Sequence, residues 1–504
     1  MRKWIWGAAA FAALSVGGVA SAQTAAPTSG ASQKTALQLM LQKGVITQAE
    51  YDQAVASEMT VKETSQTVVV EAQKKPEPPP VTAKWNASIY GFIEADYMYD
   101  STESFVDLAG NNPIAKAYAG APNYAAINHR LQFSIRNTRL GFRLAAPEWG
   151  GTKSSALLET DFFGNQPATA PVAYSEANFY NNPTWRVRHA YTKLETPVLD
   201  FLFGQTWELF GWQSYFQPNT VDLQGVPGEI YSRTAQLRVS KTIKSDAMAL
   251  DIAVAAMRPP QSDAYVPDLQ AGLKLSLPGW KGVTTTGGTG TNIVPFALGL
   301  SGTWRRFQVQ AVQPATPTPY QVYNYHVTEG WGYDIDVLVP IVPVKGDSRG
   351  GGLTFTGTYV NGRGINDLYT GLTGGVSAAS SKLPATAAAS LVGEVAYDAN
   401  GKLNTIAWWS YFLGLQYYFP GDGRFWVSGN YSTMYSNNIQ NYGTATATFN
   451  RSHWADGNLF WDCTNAVRLG LEYAWFRQYY VAPVANGGGQ ATNNRVQLSA
   501  WFLF

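Results

Sequence analysis

From about residue 85 to the end of the chain, apolar and polar positions alternate in short stretches broken by Gly-, Pro- and Asn-rich segments. A period of two is what a strand with one apolar face produces. Residues 88–100 place Ile89, Gly91, Ile93, Ala95, Tyr97 and Tyr99 on one face and Glu94, Asp96 and Asp100 on the other. Residues 408–419 set Trp409, Tyr411, Leu413, Leu415, Tyr417 and Phe419 against Ser410, Gly414 and Gln416. Residues 466–477 set Val467, Leu469, Leu471, Tyr473 and Trp475 against Arg468, Gly470 and Glu472.

The same pattern predicts sixteen strands. The first eight are 88–100, 130–144, 154–162, 185–195, 199–207, 234–241, 248–256 and 268–276. The others are 294–304, 306–313, 330–339, 352–360, 408–419, 425–433, 466–477 and 495–504. Each is about long enough to cross a bilayer when tilted. The even count fits single-chain bacterial barrels. The expected fold is all-β, a transmembrane antiparallel β-barrel of about 16 strands over 85–504, preceded by a short periplasmic helical segment. The longest gaps, 361–407, 434–465, 101–129 and 208–233, are expected to be extracellular loops, and at least one could fold into the lumen. Val496, Leu498, Ala500, Phe502 and Phe504 alternate down to a terminal Phe. This ending resembles the C-terminal signal that the outer-membrane barrel assembly machinery reads.

The N-terminus reads as export followed by a tether. Arg2 and Lys3 precede an apolar stretch from Ile5 to Val19, and Ala20-Ser21-Ala22 fits the small-residue cleavage rule, so 1–22 is expected to be a signal peptide. Residues 23–57 hold the helical segment. Leu37, Met40 and Leu41 share a helix face, Gly44 suits the end of that helix, and Thr47 with Glu50 has the capping-box form. Residues 58–84 are a Pro-rich linker ending in Lys74-Lys75-Pro76-Glu77-Pro78-Pro79-Pro80. Within it, Gln66 to Ala72 loosely resembles the TonB box of energised transporters. Those proteins need a folded plug next, and here a strand begins instead.

Composition narrows the class. Charged residues are 14% of the 504, where soluble domains carry about 25%. Aromatics reach 13%, yet mean hydropathy is only −0.16. A barrel reconciles these values, because lipid-facing and water-facing residues alternate and cancel. The mature chain lacks the run of about 20 apolar residues that a helical membrane span needs. With 36 basic and 35 acidic residues it is no nucleic-acid binder. The aromatic content excludes a disordered chain. Cys463, the sole cysteine, is expected to be an unpaired loop thiol.

The few charges carry the functional reading. Lipid faces penalise arginine by roughly 2–4 kcal/mol at the midplane, so charged residues within strands should face the lumen. Arg130, Arg136, Arg139 and Arg143 lie in one strand, Arg186 and Arg188 in another, Arg238 in a third, with Arg233 at its start. Leu131, Phe133 and Ile135 put Arg130 and Arg136 inside, while Leu140 and Phe142 put Arg139 and Arg143 inside. The two phases differ by one residue, so a bulge is expected near Asn137-Thr138. Acids come from other strands: Glu94, Asp96, Glu159, Asp161, and later Asp334, Asp336 and Glu472. Clustered arginines favour anions and opposed acids set a transverse field. The plainer outcome is internal ion pairing that only stiffens the wall. Tyr90, Phe92 and Tyr418 could add stacking surface.

Catalysis is not indicated. His129, His189, His326 and His453 lie far apart and no H-E-x-x-H spacing is present. His189 could join a Ser in an outer-membrane lipase-like site, but a wall histidine is the plainer reading. No enzyme activity, cofactor or metal is expected.

Five segments carry a family resemblance: Tyr90-Gly91-Phe92-Ile93-Glu94-Ala95-Asp96, Asn137-Thr138-Arg139-Leu140-Gly141-Phe142-Arg143, Leu158-Glu159-Thr160-Asp161-Phe162-Phe163-Gly164, Arg186-Val187-Arg188-His189-Ala190-Tyr191 and Gly204-Gln205-Thr206-Trp207. In this order they resemble the DcaP-like trimeric porins of the outer membrane, over about residues 85–240 and the last strand. The resemblance implies a homotrimer in the Gram-negative outer membrane, in contact with lipid bilayer and lipopolysaccharide. It also implies an Arg-lined eyelet passing small anionic solutes such as dicarboxylates. The helical segment departs from the family's longer extension. Two alternatives stand beside this: a channel specific for neutral sugars or aromatic compounds, and a structural barrel tethering the envelope through residues 35–80.

Overall fold

The computed structural model describes residues 85–504 apart from 111–112, 116–123, 165–183, 223–224, 261–263, 312–323, 347, 371–393, 399–401, 443–447 and 482–488. Before residue 85 it describes only 41–43, 47–49 and 51–52. The expected signal peptide, linker and Gln66–Ala72 lie outside the described residues. In the N-terminal unit, residues 41–42, 48–49 and 51–52 are helical, and the Tyr51 amide donates to the Thr47 carbonyl at 3.0 Å.

Residues 85–504 form a closed antiparallel barrel. Its strands are β1 (Asn86–Asp100), β2 (Arg130–Ser134 and Arg139–Ala145), β3 (Lys153–Asp161), β4 (Arg186–Glu195), β5 (Asp200–Trp207), β6 (Arg233–Lys244), β7 (Ala249–Met257) and β8 (Asp268–Thr284). They continue as β9 (Asn292–Ala311), β10 (Asn324–Val342), β11 (Leu353–Arg363), β12 (Ala407–Tyr418), β13 (Phe425–Ser436), β14 (Phe449–Asp462), β15 (Val467–Tyr480) and β16 (Gln490–Leu503). Each pairs with its neighbour in sequence, and β1 pairs with β16 from Phe92 opposite Leu503 to Asp100 opposite Arg495. Closure removes the sheet edges, which lipid cannot satisfy. The backbone of Phe504 completes the seam by exchanging two hydrogen bonds with Gly91 at 3.0 and 3.1 Å.

The break inside β2 is the expected bulge. Its two halves both pair with β1, and residues 135–138 leave the ladder between them. The phase shifts there, so Arg130, Gln132, Ser134 and Arg136 point inward before it, and Arg139, Gly141 and Arg143 after it.

Two strand assignments need correction, and they offset each other in the count. The expected strands 294–304 and 306–313 are one strand, Asn292–Ala311. Arg305, which falls between the two expected strands, continues the alternation. It points inward to Asp268 and Asp367, at 2.9 and 2.5 Å, and Arg306 points outward beside Tyr265. Conversely, the presumed loop 434–465 contains β14. Its alternation is hidden because its inward face carries Trp454 and Phe460, while Arg451 and His453 sit on the outward parity.

The outer face is continuously apolar: Ile89, Ile93, Leu131, Phe133, Leu298, Leu300, Leu413, Leu415 and Leu498 are all exposed. A band of this extent has its natural solvent in lipid. Connections at one end are short, as in 146–152, 196–199, 245–248 and 463–466, and at the other long, as in 101–129, 162–185, 208–232 and 364–406.

The interior is unevenly filled. Trp408, Trp426, Trp454 and Trp501 are fully buried and face inward from β12, β13, β14 and β16. Long-loop residues pack on them: Phe105 and Ile114 against Trp454 and Phe476, and Phe210, Ile230 and Leu368 against Trp408 and Met434. The half of the lumen bounded by β11–β16 is thereby occupied.

The loop 208–232 crosses the lumen, and its backbone is held on both sides. On the near side the Phe210 amide donates to the Gln270 side chain at 2.8 Å and the Gly211 amide to Ser301 at 2.8 Å. On the far side Ser428 and Asn430 donate to the Asn219 carbonyl at 2.7 and 2.8 Å. The Val221 and Asp222 amides donate to Glu472 at 2.8 and 3.0 Å, and Ser432 and Ser410 donate to the carbonyls of Pro227 and Gly228. Buried backbone groups need such partners. The small polar side chains on the inward face of β12–β15 supply them.

Arg495 joins seam and loops. It donates to both Asp100 oxygens at 3.0 and 2.8 Å, to Asp222 at 3.2 Å and to the carbonyls of Val106 and Asp107. All three charged side chains are buried. Arg495→Met would leave two carboxylates without a counter-charge, a loss of roughly 3–5 kcal/mol. The urea midpoint for loss of the compact barrel band on gels should fall accordingly; an unchanged midpoint would contradict this role.

Candidate functional site: the arginine-lined half of the lumen

The space left open lies along β1–β8. Two cavities of about 460 and 540 Å³ share Arg143, Glu159, His189, Trp207 and Ser214 in their lining. The first lies between the β1–β4 wall and loop 208–232, with Arg139, Arg188, Thr220 and Tyr231 around it. The second lies toward the short-turn end, with Tyr191, Lys193, Arg238 and Lys274.

Local backbone irregularities aim the side chains. In β4 a register shift opposite Glu159 and Thr160 leaves Arg188 as the extra residue, so Arg188 and His189 both face inward. That also turns Lys193 inward, which an unbroken period of two would not predict. The bulge in β2 does the same for Arg139 and Arg143. Gly141 leaves the room that the Tyr90 ring fills, since a Cβ there would overlap it. Arg143 then stacks over that ring at 4.0 Å from the centroid.

The charges form a ladder. Glu159 accepts from Arg188 Nε at 2.7 Å and from the Tyr90 hydroxyl at 2.8 Å, and Arg139 Nε stands 3.5 Å away. The last is an ion pair without hydrogen-bond geometry. Asp161 accepts from Arg188 at 3.0 Å and from Arg186 through both Nε and Nη2 at 2.9 and 2.6 Å. Arg233 stacks over Trp207 and Tyr231. Arg238 donates to the Trp207 carbonyl at 2.6 Å. Among the described residues Arg143 makes no ion pair, although it lines both cavities.

The sequence-derived residues therefore divide. Arg139, Arg143, Arg188, Arg238, Glu94 and Glu159 line the cavities. Arg136 does not: it is locked to Asp107 at 2.9 Å and anchors loop 101–129. Arg186 and Asp161 pair with each other above the cavities, and Asp96 is buried against Ser499 and Gln497. Phe502 and Phe504 lie exposed at the strand end. Missed were Lys193, Lys274, Tyr215 and the tip of loop 208–232. Lys274 was legible, since Gln270, Lys274 and Ser276 alternate with Leu269, Leu273 and Leu275. It pairs with Asp251 at 3.2 Å and lies over the Tyr215 ring.

Tyr231, in the loop beside the first cavity, registers the local field. Burial pushes its phenol up, but Arg188, Arg233 and Arg139 outweigh this and pull it down to about 8. His189 bonds Thr206 at 3.0 Å and sits edge-on to Trp207, as a wall residue does.

Glu159→Gln removes the acid that stands between Arg139 and Arg188. It should lower the unfolding midpoint, because buried Arg139 loses its carboxylate and Arg188 keeps only Asp161. A midpoint identical to the wild type would contradict this role of Glu159 in holding the wall.

No sequence-family model and no curated protein matches the chain. Solved structures do. The outer-membrane channel DcaP of Acinetobacter baumannii is 17% identical, with a TM-score of 0.56 over 84% of this chain and 98% of that one. An anion-selective porin from Comamonas acidovorans is 10% identical, with a TM-score of 0.46 over 84% and 100%. OprB of Pseudomonas putida is 11% identical, with a TM-score of 0.42 over 83% and 94%. The closed barrel of this chain is similar in fold to that of the DcaP outer-membrane channel.

Proposed function

We propose that the protein is a passive diffusion porin of the Gram-negative outer membrane, a homotrimer that takes up small hydrophilic solutes with a preference for anions such as dicarboxylates. The observation that carries this is Arg143. It lines both open cavities and has no acidic partner among the described residues, backed by Arg139 and Arg188. Arg139, Arg143, Arg188 and Arg238 form the constriction in this reading. Glu94 and Glu159 set the opposing field, while Arg136, Arg186, Asp96 and Asp161 hold the frame. Planar guanidiniums suit carboxylates, which they bind in pairs of hydrogen bonds. Phe502 and Phe504 serve as the signal to the assembly machinery, and the exposed outer band meets bilayer and lipopolysaccharide. The N-terminal segment lies in the periplasm.

A second reading has support in one observation. Tyr90, Tyr191, Trp207 and Tyr215 present rings to the cavities. Aromatic carboxylates would use both rings and arginines. A current block by an aromatic acid, with none by a short dicarboxylate, would favour this narrower substrate class.

Planar-bilayer recordings test the proposal. They should show three-step closures and, under a low-salt gradient where screening is weak, a reversal potential favouring chloride over potassium. Arg143→Gln with Arg238→Gln should reduce that preference; cation preference in the wild type would overturn it.

The Tyr231 phenol adds a pH test. Raising pH through about 8 turns it into an anion amid the arginines, so chloride preference should fall across that range. In Tyr231→Phe the profile should stay flat there. An equal fall in both proteins would assign the effect elsewhere.

A further inference from the structure

A third cavity, of about 650 Å³, lies on the outer face of the barrel across β6–β10. Its floor is made of small residues, Ala256, Ala271 and Gly302, and its walls include Leu237, Leu269 and Trp304. The register explains the shape. Trp304 stands opposite Leu269, and Leu269 opposite Ala256; one level further into the bilayer Gly302 stands opposite Ala271. A tall apolar wall thus borders a floor that reaches down to backbone.

Two basic residues stand above this trough on the same outward face. Arg306 follows Trp304 by two positions and Arg258 follows Ala256 by two, both toward the end with the long loops. They are separated by one strand, so their Cα atoms lie about 10 Å apart. The Arg306 guanidinium lies 5.2 Å from the Tyr265 ring, and its Nε is buried with no hydrogen-bond partner among the described residues. Glu329, the register neighbour of Arg306, makes no ion pair with it among the described residues. Neither does any described residue pair with the exposed Arg258.

A dry trough capped by two cations that form no ion pair among the described residues is complementary to a lipid that carries both an acyl chain and a phosphate. We propose that the trough seats an acyl chain of a phosphorylated, multiply acylated lipid of the outer leaflet, and that Arg258 and Arg306 bind its phosphate. The proposal rests on the orientation given above, with the long loops outside. Its site is on the lipid face and is independent of what passes through the lumen.

The test uses the full-length protein in detergent with diphosphoryl lipid A and its dephosphorylated form, read by native mass spectrometry. The wild type should retain the diphosphoryl form about tenfold more tightly, the scale of charge-assisted contacts. Arg258→Gln with Arg306→Gln should erase that discrimination, and Ala271→Trp should weaken both forms by filling the trough. Channel conductance should be unchanged in all three proteins, which separates this outcome from any failure of the porin reading. Equal binding of both lipids by the wild type would overturn the phosphate site. Undiminished lipid binding by Ala271→Trp would overturn the trough. If that variant instead breaks the oligomer on native gels without affecting lipid, the trough is a contact between copies and the proposal falls.

Discussion

The constraint on which this structure turns is the need to satisfy the backbone of loop 208–232 inside the barrel. A loop crossing a lumen carries amides and carbonyls away from bulk water, and each needs a partner. Ser410, Ser428, Asn430, Ser432 and Glu472 provide them from the far wall, and Gln270 and Ser301 from the near one. The loop is thereby fixed across the interior, and the open path lies beside it. The side that path takes decides which residues line it.

Two features decide the side. Inward Trp408, Trp426, Trp454 and Trp501, with the loop residues packed on them, occupy the β11–β16 half. Bulges in β2 and β4 turn Arg139, Arg143, Arg188 and His189 into the half that remains. Around the cavities, Glu159 and Asp161 are held in ion pairs by Arg139, Arg186 and Arg188, and the loop residue Asp222 by Arg495. Near-neutral overall charge therefore coexists with a cationic wall, because Arg143 remains without a carboxylate among the described residues.

Much of the barrel was legible because lipid enforces a strict alternation. The β2 bulge could be read from the phase conflict between Phe133–Ile135 and Leu140–Phe142. Where alternation served packing inside the barrel, it misled. In β14, Trp454 and Phe460 face inward and Arg451 and His453 outward, so the apolar alternation is blurred and the pattern suggests a loop. In β4, nothing local marks Arg188 as the extra residue; the shift is set by its pairing with β3. Arg136 illustrates a limit of another kind. Its inward direction follows from parity, but its pairing with Asp107 depends on where a distant loop folds. Likewise the choice of 208–232 as the crossing loop rests on partners that lie about two hundred residues downstream, from Ser410 to Glu472.

The most direct test of the account is where an anion sits. Crystals of the protein soaked in bromide and examined by anomalous scattering should show a peak beside Arg143, between the β1–β4 wall and loop 208–232. Bromide found instead only outside the barrel or among the inward residues of β12–β16 would contradict the claim that the loop presses the conducting path against the arginine wall.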